Sequence, residues 1–283
     1  MTLKINKAAD IGFCYGVRRA LEIIEKVACE KGGVETLGAI VHNQQVLDRL
    51  AGIGVRVARS IDDIQGKAVV ISSHGVSPHV EEEIRERNIS IVNATCPFVH
   101  RVQIAARRLA AVGFCVIIYG DAAHAEVQGV LGWANGKGTA TTNENSIAKI
   151  THFPRRIGIL SQTTQIPAHF TEFVKSIMGT VLIKDSELRI KDTICHDIRK
   201  RQQAALELAN MVDLMLVVGG HTSANTNHLV ELCATVTSAR LVEASGEIQS
   251  SWLKGRRSIG ITAGASTSEQ TIDEVLEKLK ALS

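Results

Sequence analysis

Apolar and polar positions alternate with two different periods along this chain, and three stretches carry the helical period most clearly. Residues 16–31 set Val17, Ala20, Leu21, Ile24, Val27 and Ala28 along one face, then stop at Gly32-Gly33. Residues 97–112 repeat the pattern and close at Gly113. They open on Pro97, whose missing N–H suits a first helical turn. Residues 197–211 make the third helix. A compact apolar run follows each one, "TLGAIV", "FCVIIY" and "LMLVV", with the composition of a parallel strand buried on both faces.

This punctuation sorts the six cysteines. Cys14, Cys96 and Cys195 each stand directly before one of the three helices. Cys29 falls at a helix end, Cys115 in a strand and Cys233 within a helical stretch. The first group shares a further regularity: 28 residues after each member come His42, His124 and Ser223, each at or just beyond the end of a strand run. A second strand in each third ends in small polar residues, in "VVISSHG", "IGILSQTT" and "IGITAGAST". The spacing predicts a repeated unit too long for a solenoid. The expected fold is α/β, with three small α/β domains at 14–96, 97–194 and 195–283, the last joined by residues 1–13. Ligands of open α/β sheets bind outside the carboxyl ends of the strands. If the three units face a common centre, their tips converge there.

Composition narrows the field. The 283 residues are 45% hydrophobic, enough for a substantial core, and 32 basic against 29 acidic side chains give a net charge of +3. That balance makes no argument for nucleic acid or a membrane surface, while leaving room for a local anion site. "MTLKINKAAD" lacks the apolar core of a secretory signal, and no apolar run reaches the roughly 20 residues of a membrane span. The expectation is a cytoplasmic protein whose cysteines are thiols or metal ligands rather than structural disulfides. No Cys-x-x-Cys pair, dinucleotide fingerprint or P-loop is present.

Three convergent thiolates at helix N-termini suit a soft metal or an iron–sulfur cluster; three buried apolar thiols are the alternative. His42, His74 and His124 lie on strand-to-helix connections, and with Ser223, Asn225 and Ser266 they offer donors suited to phosphate oxygens. Each is equally able to serve as a turn or cap residue. Glu126, two residues past His124, is the acid nearest a predicted tip. It is either a proton donor raised by burial or an ordinary first-turn acid.

"GFCYGV", "GAIVHN", "SSHGVS", "ATCP", "HAEVQG", "SQTT", "GGHTSANTNHL" and "TAGAS" occur in this order across about residues 10 to 275. In this the chain resembles the 4-hydroxy-3-methylbut-2-enyl diphosphate reductases, the LytB-type iron–sulfur enzymes that end the non-mevalonate isoprenoid pathway. The resemblance implies a pseudo-threefold trefoil around one [4Fe-4S] cluster, held by Cys14, Cys96 and Cys195 with one iron open. It implies that His42, His74, His124, Ser223, Asn225 and Ser266 surround the substrate diphosphate. Glu126 would feed protons to the allylic alcohol, with Thr163 holding the hydroxyl and relaying a proton, and His124 counted with them among the catalytic residues. The products would be isopentenyl and dimethylallyl diphosphate, and a ferredoxin or flavodoxin would donate the electrons.

Four positions depart from the family pattern. Asn93 replaces an aspartate before "ATCP", Ala125 a proline, and Ala224 a second serine, and "AADI" stands where "A-x-P-R" is expected. None removes a ligand or the proton donor. Two other classes compete: a cluster-free diphosphate hydrolase or isomerase with a cysteine nucleophile, and a phosphate-binding module with structural thiols.

Overall fold

A computed structural model describes residues 3–41, 43–143, 154–181 and 186–282. Its described strands form three four-stranded sheets, and every strand pair is parallel. The first contains β2 (Val34–Leu37), β3 (Val55–Ala58), β4 (Ala68–Ile71) and β5 (Ser90–Asn93). The second contains β6 (Cys115–Tyr119), β7 (Gly138–Thr141), β8 (Arg156–Ser161) and β9 (Glu187–Ile190). The third contains β10 (Leu214–Val218), β11 (Ser238–Val242) and β12 (Ser258–Ala263), completed by β1 (Lys4–Lys7) from the other end of the chain.

The strand orders are β3-β2-β4-β5, β7-β6-β8-β9 and β11-β10-β12-β1, the same order three times. In each, the order reverses between the first and third strands of the set, which is where open α/β sheets bind ligands. The fourth strand of each set, β5, β9 or β1, runs into Cys96, Cys195 or Cys14 and then into a helix.

Those helices are α1 (Tyr15–Lys31), α4 (Pro97–Ala111) and α7 (His196–Ala209), within two residues of the ranges expected from periodicity. Between them lie α2 (Gln44–Ala51), α3 (Pro78–Glu86), α5 (Ala125–Trp133) and α6 (Pro167–Val181). The chain ends with α8 (Ala224–Ala234) and α9 (Glu269–Ala281). One strand differs from expectation. "TLGAIV" is not a continuous strand, because β2 stops at Leu37 and Gly38 turns to φ +73.

Contacts divide the chain into two compact units. One comprises residues 1–18, 41–50 and 196–283, the other residues 19–40 and 51–195. In the first, β10 sends Leu214, Leu216 and Val218 to one face, against Ile272, Val275 and Leu279 of α9. Its Met215 and Val217 go to the other face, against Leu208 and Leu229 of α7 and α8. In the second unit, Val116 and Ile118 of β6 meet α4 and α5, while Ile117 and Tyr119 meet Phe170 and Phe173 of α6. Alternate residues thus enter opposite cores, which is why these strands read as unbroken apolar runs.

Candidate active-site residues at the strand tips

In the unit that holds the first two sheets, the tips of β4, β6 and β8 carry His74, His124, Glu126 and Thr163. His124 is the N-cap of α5, its Nδ1 accepting from the Glu126 N–H at 3.1 Å. This is the cap role open to it from sequence, and the ring also meets the ring of His74 edge-on, with centroids 5.3 Å apart. The structure therefore brings together two of the three predicted histidines; His42 lies outside the described residues.

Glu126 is in the first turn of α5, yet only 2% exposed. Its Oε1 accepts from the Thr163 N–H and its Oε2 from the Thr163 hydroxyl, both at 2.7 Å. Burial lifts the carboxyl above its ordinary value of 4.5, with the two Thr163 hydrogen bonds pulling the other way. Burial disfavours the charged form, so this is an acid poised to keep its proton. The Thr163 carbonyl in turn accepts from the Cys195 N–H at 2.9 Å. One residue thus ties the buried acid to a candidate metal ligand.

The loop after β4 is held by residues that sequence reasoning did not single out. Trp133 Nε1 and Gln103 Nε2 both donate to the Val76 carbonyl, at 3.0 and 3.5 Å. Gly75 has φ +68, and a Cβ there would meet the ends of the Gln103 and Thr95 side chains. A side chain at position 75 would be strained at that φ and would displace the Gln103 amide from Val76. Trp133 and Gln103 belong to no motif; the polar atom each brings to a half-buried or buried position was the one available sign.

In the other unit, Ser223 is the N-cap of α8, accepting from the Thr226 N–H. Asn225, in the first turn, is 4% exposed, and neither its Oδ1 nor its Nδ2 has a partner among the described residues. The hydroxyls of Thr226 and Thr262 are likewise buried without a partner there. Ser266, on the tip after β12, is buried too. Buried polar atoms are nearly always satisfied, so orphans near the strand tips, here and at Gln162 Nε2 in the other unit, point to polar ligands.

The three cysteines share one construction. The Cys14 N–H donates to the Ala265 carbonyl, the Cys96 N–H to that of Ser73 and the Cys195 N–H to that of Thr163, at 3.0, 3.0 and 2.9 Å. Each acceptor lies on the tip after the third strand of its set, β12, β4 or β8. Gly12, at φ +89, makes the turn into Cys14, whose Sγ accepts from the Val17 N–H at 3.5 Å. Burial raises the Cys14 thiol, opposed by the N–H groups of Val17 and Gly16 and by the charge of Arg201. Cys233 has no such setting: it is fully buried between α7 and α8, and burial alone pushes its thiol up to about 11. Among the described residues, no three His, Cys, Asp or Glu side chains form a group able to hold a metal ion.

Three small parallel α/β domains, each delivering a cysteine to its sheet's carboxyl edge at the head of a helix, define the class: a three-domain α/β protein with thiol-bearing strand tips. The LytB protein family model matches residues 5–280. A 4-hydroxy-3-methylbut-2-enyl diphosphate reductase of Dehalococcoides mccartyi is 59% identical over 281 residues, covering 99% of both chains. One from Geobacter metallireducens is 38% identical over 281 residues, covering 99% of this chain and 98% of its own. A solved structure of (E)-4-hydroxy-3-methyl-but-2-enyl diphosphate reductase, the terminal enzyme of the non-mevalonate pathway, covers 99% of this chain and 100% of its own. It is 35% identical, with a TM-score of 0.70. The Plasmodium falciparum reductase structure gives a TM-score of 0.90 at 26% identity, covering 98% of this chain and 88% of its own. The chain belongs to the LytB family.

Proposed function

We propose that this chain is a 4-hydroxy-3-methylbut-2-enyl diphosphate reductase, an oxidoreductase of the non-mevalonate isoprenoid pathway. In the reaction the allylic C–O bond breaks, two electrons and two protons enter, and water leaves. One proton goes to the departing hydroxyl and one to an end of the allylic system, giving isopentenyl or dimethylallyl diphosphate. The observation that carries this reading is the Glu126–Thr163–Cys195 linkage, which ties a buried acid to the backbone of a candidate ligand through a single residue.

The donor types, three soft thiols, are those an iron–sulfur cluster takes. Three soft thiols each stand at the head of a helix, where the dipole and free N–H groups favour the thiolate, with the backbone N–H already committed to a carbonyl. Cys14, Cys96 and Cys195 would hold a [4Fe-4S] cluster with one iron open. When bound, the cluster supplies electrons one at a time and a Lewis-acid position.

The protein's own residues supply the rest. His42, His74, His124, Ser223, Asn225 and Ser266 bind the diphosphate, and binding energy from this remote group positions the alcohol. The Glu126 carboxyl holds its proton above the ordinary carboxylate range because burial outweighs its hydrogen bonds. The Thr163 hydroxyl, on Glu126 Oε2, relays that proton and holds the substrate hydroxyl. A ferredoxin or flavodoxin supplies the electrons, and the reading includes a cytoplasmic location. No helix among the described residues is long and apolar enough to cross a membrane. The domain boundaries that accompany this reading are 14–96, 97–194 and 195–283, with 1–13 joined to the last.

Anaerobic purification with iron and sulfide analysis tests it. The expected result is a brown protein with about four of each per chain, colourless after Cys96→Ser. A colourless wild-type protein with full activity would overturn it.

A further inference from the structure

Arg201 is the largest fully buried side chain among the described residues, and the chemistry above does not use it. Its Nη1 donates to the carbonyl of Ala263, the last residue of β12, at 2.9 Å. Its Nη2 lies 3.1 Å from Oδ1 of Asp10, whose side chain is 36% exposed against 2% for Arg201. Its Nε has no acceptor among the described residues. The carbonyl that receives the Cys14 N–H is Ala265, two residues past Ala263. One strand tip therefore anchors both the guanidinium and the first cysteine.

A guanidinium keeps its proton in proteins, so Arg201 is a fixed positive charge. Arg201 and Asp197, the acid in the first turn of α7, act on Cys14 with opposite charge. The acid Arg201 pairs with, Asp10, is partly in water, which screens the acid more than the buried cation. Asp10 also belongs to the "AADI" stretch that departs from the family's "A-x-P-R".

We propose that the Asp10–Arg201 pair tunes the reduction potential of the iron–sulfur group held at Cys14, with Arg201 favouring the reduced form and Asp10 attenuating it. The inference rests on Cys14 being a cluster ligand. Each reduction brings one electron from a low-potential one-electron donor and adds one negative charge beside Cys14, with no bond made or broken. A fixed positive charge nearby stabilises the more negative state, and cluster potentials respond to net charge and to hydrogen bonds around the sulfurs.

The test is an EPR-monitored redox titration, with mediators and dithionite, of anaerobically prepared holoprotein. Asp10→Asn is expected to move the midpoint to a more positive potential at unchanged iron and sulfide content. Arg201→Met is expected to move it to a more negative one. If Arg201→Met fails to fold, Asp10→Asn, at a partly exposed position, decides alone. A midpoint unchanged or made more negative in Asp10→Asn, at wild-type iron content, overturns this inference and leaves the reductase reading standing. Wild-type protein without iron and sulfide overturns both.

Discussion

The tips of the second and third sheets hold two buried side chains, Glu126 and Asn225, in opposite hydrogen-bonding states. At the second, the Glu126 carboxyl is bonded at both oxygens to Thr163 and sealed from water. At the third, Asn225, Thr226 and Thr262 bury polar atoms that no described residue satisfies. The first arrangement suits a group that must hold a proton at one atom in one orientation, since nothing needs to move before reaction. The second suits a group waiting for an anion, because leaving a buried donor unmet costs about 1–3 kcal/mol that a ligand can restore. Glu126 and Asn225 are thus told apart by hydrogen-bond completeness, although Gln162 Nε2, next to Thr163 on the second tip, is also buried without a partner among the described residues.

Glu126→Gln should give the largest effect. It preserves shape and burial and removes the transferable proton, with the bond between the amide nitrogen and the Thr163 hydroxyl reversed. The kcat should therefore fall by about 10²–10⁴ while iron content and KM stay near wild type. Turnover with reduced dye under anaerobic conditions measures it, and normal turnover would reject the proton-donor role. The same variant tests the electrostatics. Because burial raises the folded value of Glu126 above 4.5, the folded chain binds this proton more tightly than the unfolded chain. The stability carried by the protonated group is therefore complete below 4.5 and is lost as pH rises through the higher folded value. Relative to wild type, Glu126→Gln should gain stability steadily as pH is raised above 4.5 toward that folded value, measured by denaturant unfolding at several pH values. A gap that does not change with pH would contradict the burial argument.

At the third tip the expected sign is different. Asn225→Leu replaces two unsatisfied polar atoms with apolar ones of similar volume, so stability should hold or rise by up to about 1 kcal/mol. If Asn225 contacts the diphosphate, KM should increase about tenfold, corresponding to about 1.4 kcal/mol. Thermal unfolding and steady-state kinetics together separate the two outcomes. A loss of stability without a change in KM would make Asn225 a structural residue and erase the contrast between the tips.

Much of this architecture is legible in the amino-acid order alone, for physical reasons. Strands buried on both faces, such as 214–218, and helices opened by Pro97 or stopped by Gly32 announce themselves through composition. So does the shared position of Cys14, Cys96 and Cys195, because equal element lengths repeat three times. The outer strands do not stand out: "KINK", "SIVN" and "ELRI" are short and half-polar, since one edge of each has no neighbouring strand among the described residues. The end of β2 is equally hard to read, because Ile40 and Val41 are buried, and burial alone cannot distinguish a strand from the turn at its tip. The site follows the same division. Cysteines, histidines and Glu126 are rare enough to stand out, whereas the supports of the His74 loop are a tryptophan and a glutamine that look like ordinary helix residues.

That support yields the smallest predicted effect and a fine test of the contrast. Trp133→Phe keeps an aromatic ring beside His100 and Arg107 but removes the N–H that reaches Val76. The Val76 carbonyl would retain only the 3.5 Å approach of Gln103 Nε2. Folding should lose about 1 kcal/mol or less, the usual net value of one such bond. The catalytic consequence should be confined to binding, because the loop carries His74 and not Glu126. KM is expected to rise about threefold, worth roughly 0.7 kcal/mol, with kcat unchanged. Steady-state kinetics on anaerobically prepared variant protein measures the split. A fall in kcat at unchanged KM would instead mean that the His74 loop orients the reacting end of the substrate, and the division between a bonded reaction tip and waiting binding groups would have to be redrawn within the second unit itself.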